Sequence, residues 1–321
     1  MAGNPNYDTA LLTMTLEKFL SKTPADQIFD ELALYDWLNT KGSVKRKIDG
    51  GVKLLEPLRY AANSTFTSYS GYDLLDVSPQ EGFTNAEFEL KQYNISIAIS
   101  GEEEAKNSGE GAMLDLLEAK WDQARDSFRD GLNQDFFLDG TGNSSKEVTG
   151  LALMIDSTGT YGNIPRATNS WWAAQETAVS GVLTIDGSTG MRRMYNDCSL
   201  GKGTMSPNGI LTTQAVFEAY EGLMAPYLRY TTGDSSPNAS FEHDNLKYRK
   251  ATMFWDHDCQ SGIMYFLQSK VMKLRVKKDM VVVPFQVPTN QDAKIGHIRS
   301  MLQLTCNNCR HLGKLTGLTN S

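Results

Sequence analysis

A stripe of apolar side chains along residues 107–138 constrains the fold more than any other feature of the sequence. Its members follow one another at intervals of three or four residues, a spacing that places them on one face of an α-helix. They are Met113, Leu117, Trp121, Ala124, Phe128, Leu132 and Phe136. Acidic residues occupy much of the remaining helix surface. The pattern predicts a single long helix that buries this stripe.

Residues 46–100 change to the two-residue period of β-strands. In the segment AEFELKQYNISIAIS, Phe88 and Leu90 lie on one side, and the phase shifts near Lys91 and Gln92, as a β-bulge would cause. The residues that share a face after the shift are Tyr93, Ile95, Ile97 and Ile99. The upstream segment YAANSTFTSYSGY is rich in Thr, Ser and aromatic residues, and DVSPQEG supplies turn residues. We therefore predict a long two-stranded arm.

Such an arm needs a surface to lie on. Ordering each residue costs roughly 1–2 kcal/mol of backbone entropy, and an isolated two-stranded ribbon buries too little apolar area to offset that cost. Residues 1–45 raise the same question, because TALLTMTLEKFL and PADQIFDELALYDWL both have helical spacing and precede a polar linker that ends in two glycines. Either these appendages fold onto the rest of the chain or they lie on another copy of it, and the sequence leaves both interpretations open.

Three later segments have clear periods. ILTTQAVFEAYEGLM predicts the end of a strand, a Thr212 or Thr213 cap and a helix. KVMKLRVKKDMVVVPF predicts a strand with two different faces. One face carries Met272, Leu274 and Val276, and the other carries Lys273, Arg275 and Lys277. GHIRSMLQLTC predicts a strand with an apolar face formed by Ile298, Leu302, Leu304 and Cys306.

The composition is that of an ordinary globular protein with an acidic balance. The 321 residues are 40% hydrophobic and 21% charged, and the net charge is −7 with a pI near 5.2. Proteins whose main task is to hold DNA or an anionic membrane are normally basic, so we expect local nucleic-acid contact at most and no membrane partner. Since no basic start precedes an apolar run and no stretch approaches about 18 apolar residues, we expect a soluble chain that is intracellular at synthesis.

The segment DFFLDGTGNSSKEVTGL is a candidate phosphate site, because three glycines lie close to a lysine and several hydroxyls. A P-loop requires G-x-x-x-x-G-K-[ST] after a strand and before a helix. Here Ser145 precedes Lys146 and Glu147 follows it, and the segment comes after a helix. The segment SLGKGT also departs from the pattern. We interpret Gly140 and Gly142 as the end of the long helix and a tight turn.

Two other clusters contain metal-ligating residue types. The segment FWDHDC comprises Asp256, His257, Asp258 and Cys259. Adjacent side chains such as these point in different directions on a regular element. The segment CNNCRH has the pair Cys306 and Cys309 with His311 nearby, but a structural zinc site usually needs a second pair, which the isolated Cys198 and Cys259 do not supply. With no G-x-S-x-G elbow and no histidine marked as a general base, we predict no enzyme, no cofactor, and no catalytic, cofactor-binding or metal-binding residues.

Two runs of basic residues allow several interpretations. The first run comprises Lys41, Lys45, Arg46 and Lys47. It suits contact with DNA, contact with the acidic run 102–104 of a neighbour, or simple exposure to water, which is the leading interpretation for most charge runs. The second run comprises Lys273, Arg275 and Lys277. We expect it to be an exposed strand face, with nucleic acid as a minor alternative.

The order of these pieces along the chain is itself informative. An N-terminal arm and a long hairpin arm precede a long helix that ends in FFLDGTG, and TGL, RATNSWW, MYFL and NQDAKIGHIRSMLQLTC follow in that order. The helix followed by FLDGTG and the double tryptophan, Trp171 and Trp172, are the most specific of these motifs. Together they resemble the major capsid protein family of tailed bacteriophages, which has the Hong Kong 97 type of fold. The resemblance covers nearly the whole chain and implies an α+β fold.

The resemblance also implies a division of the chain. The implied parts are an N-terminal arm (1–45), an extended hairpin loop that lies across the adjacent subunit (46–100), a peripheral domain (101–164 and 273–321) with a spine helix (107–138), and an axial domain (165–272). Some members crosslink a lysine to an asparagine, but no motif marks Lys53 or Lys91 for this role.

The function implied by the resemblance is that of a major capsid protein, a structural subunit that assembles into hexamers and pentamers of an icosahedral head around double-stranded DNA. Its partners would be other copies, a portal protein, a separate scaffolding protein and, by weak non-specific contact, the packaged DNA; decoration or cement proteins are also allowed. It would be found in the virion, after assembly in the bacterial host cytoplasm. Two alternatives stay open: an encapsulin-like protein nanocompartment with the same fold, and an unrelated nucleotide- or metal-dependent enzyme.

Overall fold

The computed structural model describes residues 32–40, 45–48, 51–106, 110–200, 205–224, 246–289 and 291–319. The helices are α1 (Ala33–Thr40), α2 (Gly101–Lys106), α3 (Glu110–Phe137), α4 (Leu151–Met154), α5 (Met191–Ser199) and α6 (Gln214–Met224). The strands are β1 (Lys45–Lys47), β2 (Leu54–Arg59), β3 (Phe83–Phe88), β4 (Lys91–Ser100), β5 (Thr160–Tyr161), β6 (Ile164–Pro165), β7 (Gln175–Val182), β8 (Gly209–Thr212), β9 (Lys247–Tyr248), β10 (Ala251–Trp255), β11 (Met264–Leu267), β12 (Met272–Gln286), β13 (Ala293–Cys306) and β14 (Gly313–Thr319). No helix in these ranges is long and apolar enough to cross a membrane.

Helix α3 confirms the predicted long helix. Ala124, Phe128, Leu132 and Phe136 are buried, while the predicted stripe residues Met113 and Leu117 and the first predicted helical residues, 107–109, lie outside what the structure describes. The stripe packs against a sheet: the rings of Phe128 and Tyr93 meet edge to face with centroids 6.4 Å apart. The three-to-four-residue spacing of the stripe therefore identified the buried face of this helix correctly.

The sheet under α3 has four strands in the order β1-β12-β13-β4. β12 runs antiparallel to β13, β13 runs antiparallel to β4, and the short β1 lies parallel to β12. The predicted inner face of β12 is confirmed, because Met272, Leu274 and Val276 are all buried. The predicted apolar face of β13 is confirmed as well by the buried Ile298 and Cys306.

The predicted two-stranded arm over residues 46–100 is shorter than expected. The ribbon consists of β2 and β3, paired from Leu54 with Phe88 to Arg59 with Phe83. β4 instead pairs with β13 along its whole length. Ile97 of β4 packs with Ala124 of α3. The phase shift near Lys91 therefore marks the end of one strand and the start of another, and the predicted bulge is wrong. β1 also lies within the segment predicted to be a linker.

A second sheet has six strands in the order β7-β14-β11-β8-β10-β9. The predicted strand end and helix are confirmed, since β8 ends at Thr212 and α6 begins at Gln214. α5 and α6 supply buried residues, among them Met194 and Tyr220, to the core of this sheet. β14 belongs to this sheet while β12 and β13 belong to the other, so the segment 273–321 is divided between the two sheets. The boundaries of the proposed domains stay a prediction.

Candidate interaction site: the β2–β3 arm and its base

We call residues 54–88 the arm, its two strands β2 and β3 the arm base, and the connecting residues 60–82 the arm tip. The arm tip contains two turns and no strand. Large apolar side chains of the tip are exposed to water: Phe66 (94%), Tyr69, Tyr72, Leu74 (99%), Leu75 and Val77. Exposed apolar side chains concentrated in one short segment mark a contact with another molecule more often than a free surface.

Local hydrogen bonds hold the shape of the tip. The Ser64 hydroxyl donates to Gln80 Oε1 at 2.8 Å and so connects the two sides of the tip. The Ser78 amide and hydroxyl both donate to Asp76 Oδ1, and these bonds lower the pKa of the Asp76 carboxyl. Where the chain reverses, Gly71 has a φ of 55°, a left-handed value that glycine adopts without strain. The tip thus has polar turns for its backbone while its apolar side chains point outward.

The arm base has an inner face that packs on the body of the subunit. Leu58 of β2 and Ala86 and Phe88 of β3 are buried in the main hydrophobic core. Gly162, in the turn between β5 and β6, accepts a hydrogen bond from the Glu87 amide at 2.9 Å. A Cβ on Gly162 would lie 2.9 Å from both the Ala86 Cβ and the Phe88 ring. The base therefore fits a surface that a side chain at position 162 would block.

Aromatic residues hold the edge of the base where the tip begins. The Tyr60 ring stacks on Trp171 with centroids 5.4 Å apart. Trp171 contacts Trp172, whose Nε1 donates to the Tyr161 carbonyl at 3.0 Å. The Tyr161 ring in turn meets Phe88 edge to face at 5.0 Å. The double tryptophan of the RATNSWW motif therefore belongs to the support of the arm.

Arg166, the first residue of the same motif, organises the support from within. Its guanidinium is buried and donates to backbone carbonyls, at 2.8 Å each to Leu153 and Met154 and at 3.1 Å to Thr158. Its Nε donates to the carbonyl of Trp172 at 3.3 Å. Because a guanidinium has five N–H donors in a fixed plane, one side chain satisfies carbonyls of α4, of Thr158 and of Trp172 and so fixes the position of the tryptophans.

Glu56 is the one charged residue of the arm's strands on the buried inner face, with 3% of its surface exposed. Its carboxylate accepts hydrogen bonds from Lys273 Nζ at 2.9 Å, from Arg275 Nε at 3.0 Å and from the Thr305 hydroxyl at 3.2 Å. Arg275 Nη2 also donates to it. Burial alone would raise the pKa of Glu56, but the hydrogen bonds and charges of Arg275 and Lys273 lower it below its ordinary value.

This cluster corrects the prediction for the second basic run. Lys273 and Arg275 are not a solvated strand face, because each is mostly buried and ion-paired with the arm; Lys277 is exposed as predicted. Glu56 itself was missed. The signal was present in LLEPLR, where a glutamate occupies the inward position between Leu54 and Leu58, but its partners lie more than 200 residues away in the sequence.

The first basic run lies only partly in the described residues. Lys45 and Arg46 are part of β1, beside Leu274 and Arg275 of β12, and the Lys47 side chain is exposed. Lys41 and the side chains of Lys45 and Arg46 lie outside what the structure describes. Contact with DNA, contact with the acidic run of a neighbour and simple exposure to water therefore all stay open as interpretations of this run.

The FWDHDC cluster is a structural junction. Asp256 is buried and accepts hydrogen bonds from the Leu34 amide at 2.9 Å and from Asn133 Nδ2 at 3.0 Å. Asn133 Oδ1 also accepts from the Tyr35 amide at 3.2 Å. Both amides belong to the first turn of α1, where no intrahelical acceptor exists. Burial raises the pKa of Asp256. His257 is exposed and so points away from Asp256, as the sequence predicted.

The CNNCRH segment is part of the core. Cys306 and Cys309 are buried free thiols, and Arg166 Nη2 lies 3.8 Å from Cys309 Sγ. The imidazole Nδ1 of His311 lies 2.8 Å from the carbonyl of Cys198. In the parts of the chain that the structure describes, no group of three or more His, Cys, Asp or Glu side chains is arranged to hold a metal ion.

The glycine-rich segment ends α3, as predicted. Gly140, three residues beyond the end of the helix at Phe137, has a φ of 80°. Gly150 packs so closely that a Cβ there would lie 2.4 Å from the Phe136 carbonyl. The four-residue helical turn Gly142–Ser145 follows, and its Asn143 and Ser144 have left-handed backbones. The Lys146 side chain is exposed, and the Ser145 carbonyl accepts a hydrogen bond from Lys91 Nζ at 2.8 Å.

Comparison by sequence found no matching family model and no matching curated protein. Comparison of structures gave matches along nearly the whole chain. The capsid asymmetric unit of Cyanophage A-1(L) matches with a TM-score of 0.71 at 12% identity, covering 94% of this chain and 97% of the other. The chain has the Hong Kong 97-type capsid fold.

Other solved structures with the capsid fold match similarly. The capsid of a native GTA particle has a TM-score of 0.63 at 9% identity, with 94% of this chain and 95% of the other covered. The SrpI encapsulin of Synechococcus elongatus PCC 7942 has a TM-score of 0.59 at 9% identity, with 98% and 96% covered. At these identities the comparisons show the α+β capsid fold, which phage capsids and an encapsulin share.

Proposed function

We propose that the protein is the major capsid protein of a tailed bacteriophage, a structural subunit that assembles into hexamers and pentamers of an icosahedral head around double-stranded DNA. The observation that carries the proposal is the arm: its base is fixed to a body with the capsid fold, while its tip exposes apolar side chains to water. A tip of this kind is suited to a contact outside its own subunit.

The contact we propose is a heterologous one. The arm tip of one subunit meets a different surface on the next, and repeated contacts of this kind generate closed rings when the rotation closes. The exposed residues Phe66, Tyr72 and Leu74 would supply the apolar centre of this contact, where interfaces are most apolar. Residues 46–100 would act as the extended loop in this arrangement, and residues 1–45 as a second arm.

The remaining parts and partners follow from the same proposal. The peripheral domain would comprise 101–164 and 273–321, and the axial domain would comprise 165–272. The partners would be other copies, a portal protein and a separate scaffolding protein, with decoration or cement proteins also allowed. We propose no catalytic role. The site of action would be the virion, after assembly in the host cytoplasm.

The charge balance supports weak contact with packaged DNA. Each phosphate neutralised by a basic side chain adds to a counterion-release term that tightens binding. The chain has a net charge of −7, and Lys273 and Arg275 are ion-paired with Glu56. A shell wall of this composition would release its DNA without a large binding penalty.

An encapsulin-like nanocompartment is the second candidate, and the match to the SrpI encapsulin over 98% of the chain supports it. The match to the cyanophage capsid has the higher TM-score, 0.71 against 0.59, and we therefore favour the phage head. The two candidates differ in cargo, since one shell encloses DNA and the other encloses protein.

Expression of the protein alone and together with its upstream neighbour gene tests the proposal. Negative-stain microscopy is expected to show closed shells, with more uniform shells when a scaffolding protein is supplied. Particles that purify with a stoichiometric protein cargo would favour the nanocompartment. Monomers at every concentration, with and without the neighbour gene, would overturn both.

A further inference from the structure

We propose that Glu56 is a positioning residue that sets the direction in which the arm leaves the body of the subunit. The inference rests on the proposed function, because the direction of the arm matters only when its tip has to reach another copy. The inference adds to the proposed function because it assigns the setting of the arm's direction to the Glu56 carboxylate and its partners.

The position of Glu56 is unusual for a charged residue. The inner face of β2 carries Leu54, Glu56 and Leu58 in alternation, and Glu56 lies opposite Ala86 of β3. A strand face that covers a core normally carries apolar residues at each of these positions. A carboxylate at the centre of this face therefore has a role other than filling space.

The partners of Glu56 all come from the four-stranded sheet. Lys273 and Arg275 extend from β12, and Thr305 extends from β13, where it lies directly opposite Lys273 in the strand register. Two strands of the four-stranded sheet thus hold one carboxylate from different directions. Because hydrogen bonds weaken steeply with angle, this arrangement allows one orientation of β2 on the sheet.

Such a cluster fixes the orientation of β2 on the sheet more than it adds to the stability of the subunit. Replacing a buried ion pair with apolar residues of similar volume is often neutral or stabilising, whereas moving one partner away leaves a buried charge without compensation. With the arm in place, the side chains of Lys273 and Arg275 are 16% and 20% exposed. If the arm turned, these two like charges would lose the carboxylate that lies between them. Apolar contacts alone tolerate sliding, because they have no preferred angle.

Other contacts keep the arm base attached when the cluster is removed. The Glu87 amide bonds to the Gly162 carbonyl, Phe88 packs on Tyr161, and Tyr60 stacks on Trp171. A variant without the Glu56 charge is therefore expected to fold with the arm on the same surface and with a wider range of directions. This separates a positioning role from a purely structural one.

The direction of the arm is measured in unassembled subunits by pulsed electron paramagnetic resonance between spin labels. Ser70→Cys in the arm tip and Gln92→Cys in β4 provide two exposed labelling positions, and the native cysteines are buried. With Glu56→Gln or Glu56→Leu, the distance distribution is expected to broaden about twofold or more, because the angular restraint is lost. The matched control is Glu87→Gln, which removes the partly exposed pair with Lys53 on the same ribbon and is expected to change nothing.

The outcomes are decisive in either direction. A distribution that stays as narrow as that of the parent protein overturns the proposal. Glu56→Leu leaves Lys273 and Arg275 largely buried without their carboxylate, so it is expected to lower the melting temperature as well as to give fewer closed shells. A loss of melting temperature without broadening of the distance distribution would assign Glu56 a purely structural role and overturn the proposal. If the Glu56 variants do not fold, Lys273→Met leaves the carboxylate one cation and is expected to broaden the distribution less. If the parent protein forms no shells, the proposed function fails, while the distance measurement still decides the role of Glu56.

Discussion

The rings of Tyr60 and Trp171 stack at an interplanar angle of 25°, with their centroids 5.4 Å apart, at the point where the arm tip joins its base. Tyr60 belongs to the arm and Trp171 belongs to the body. The stack therefore connects the arm to the loop that Arg166 holds in place.

Trp171→Ala is expected to loosen the arm base. An aromatic pair contributes about 0.5–1.5 kcal/mol beyond its buried area, so local opening of β2 should become about 2- to 10-fold more frequent. Trypsin cleavage after the exposed Arg59 measures this opening, because the protease needs a locally unfolded strand. The control is Trp255→Ala, which removes a tryptophan that is 43% exposed and outside the arm. Equal cleavage rates in both variants would contradict the role assigned to the stack.

Gly162→Ala is expected to displace the arm by a steric clash. The added Cβ would lie 2.9 Å from Ala86 and Phe88, and the φ of 59° adds backbone strain, so we expect a loss of about 2–4 kcal/mol of stability in total. Gly187→Ala provides a matched control, because Gly187 also has a positive φ but nothing within 4 Å of the added atom. The difference between the two melting temperatures measures the cost of the close approach between Gly162 and the arm base. Equal melting temperatures would contradict that close approach.

Phe128→Asp is expected to prevent folding of the protein. Phe128 is 6% exposed in the main core, and an unpaired carboxylate there costs several kcal/mol in addition to about 3–5 kcal/mol for the lost ring. The expected result is insoluble protein or loss of a cooperative melting curve. Gln123→Asp places the same carboxylate on the exposed face of α3 and is expected to have little effect. A normal melting curve for Phe128→Asp would show that the assigned helix face is wrong.

Deletion of residues 71–81 is expected to separate folding from assembly. These residues belong to the arm tip, where Tyr72, Leu74 and Val77 are exposed, so their removal costs the isolated subunit little. Assembly should weaken because the tip loses its apolar contact. Thermal melting reports on the subunit and sedimentation reports on the particles; intact particles with unchanged sedimentation would contradict the role of the tip.

Acid is expected to weaken the attachment of the arm through Glu56. Burial raises the pKa of Glu56, but the hydrogen bonds and charges of Arg275 and Lys273 together lower it by more. The pKa in the folded state is therefore below the unfolded value of about 4.3. Its stabilising contribution is therefore complete above that pH and is lost as the pH falls through the folded value. Melting temperatures measured from pH 6 to pH 3 should fall less steeply for Glu56→Gln than for the parent protein. Parallel curves would show that Glu56 does not titrate in this way.

Patterns that repeat along a helix or strand could be predicted from the sequence. The apolar stripe identified the buried face of α3 because a helix returns to the same face every three to four residues, and Phe128 and Leu132 lie where it required. The alternation of Met272, Leu274 and Val276 identified the inner face of β12 for the corresponding reason.

Pairings between distant segments could not be predicted in the same way. The alternation that ends at Phe88 and the one that begins near Lys91 look like one irregular strand in sequence, but they belong to different sheets. Lys273 and Arg275 look like a solvated face because their partner, Glu56, is 217 and 219 residues away. Charge and periodicity are local properties, whereas the desolvation of these side chains depends on where the arm folds back.

The position of β14 has a consequence for folding during translation. β14 lies between β7 and β11 in the six-stranded sheet, although it is the last strand of the described chain to be translated. Until residues 313–319 leave the ribosome, β7 has no neighbour in that sheet and β11 has one open edge. A partly translated subunit therefore cannot complete its second core. Under the proposed function, this would keep unfinished chains out of the assembled shell.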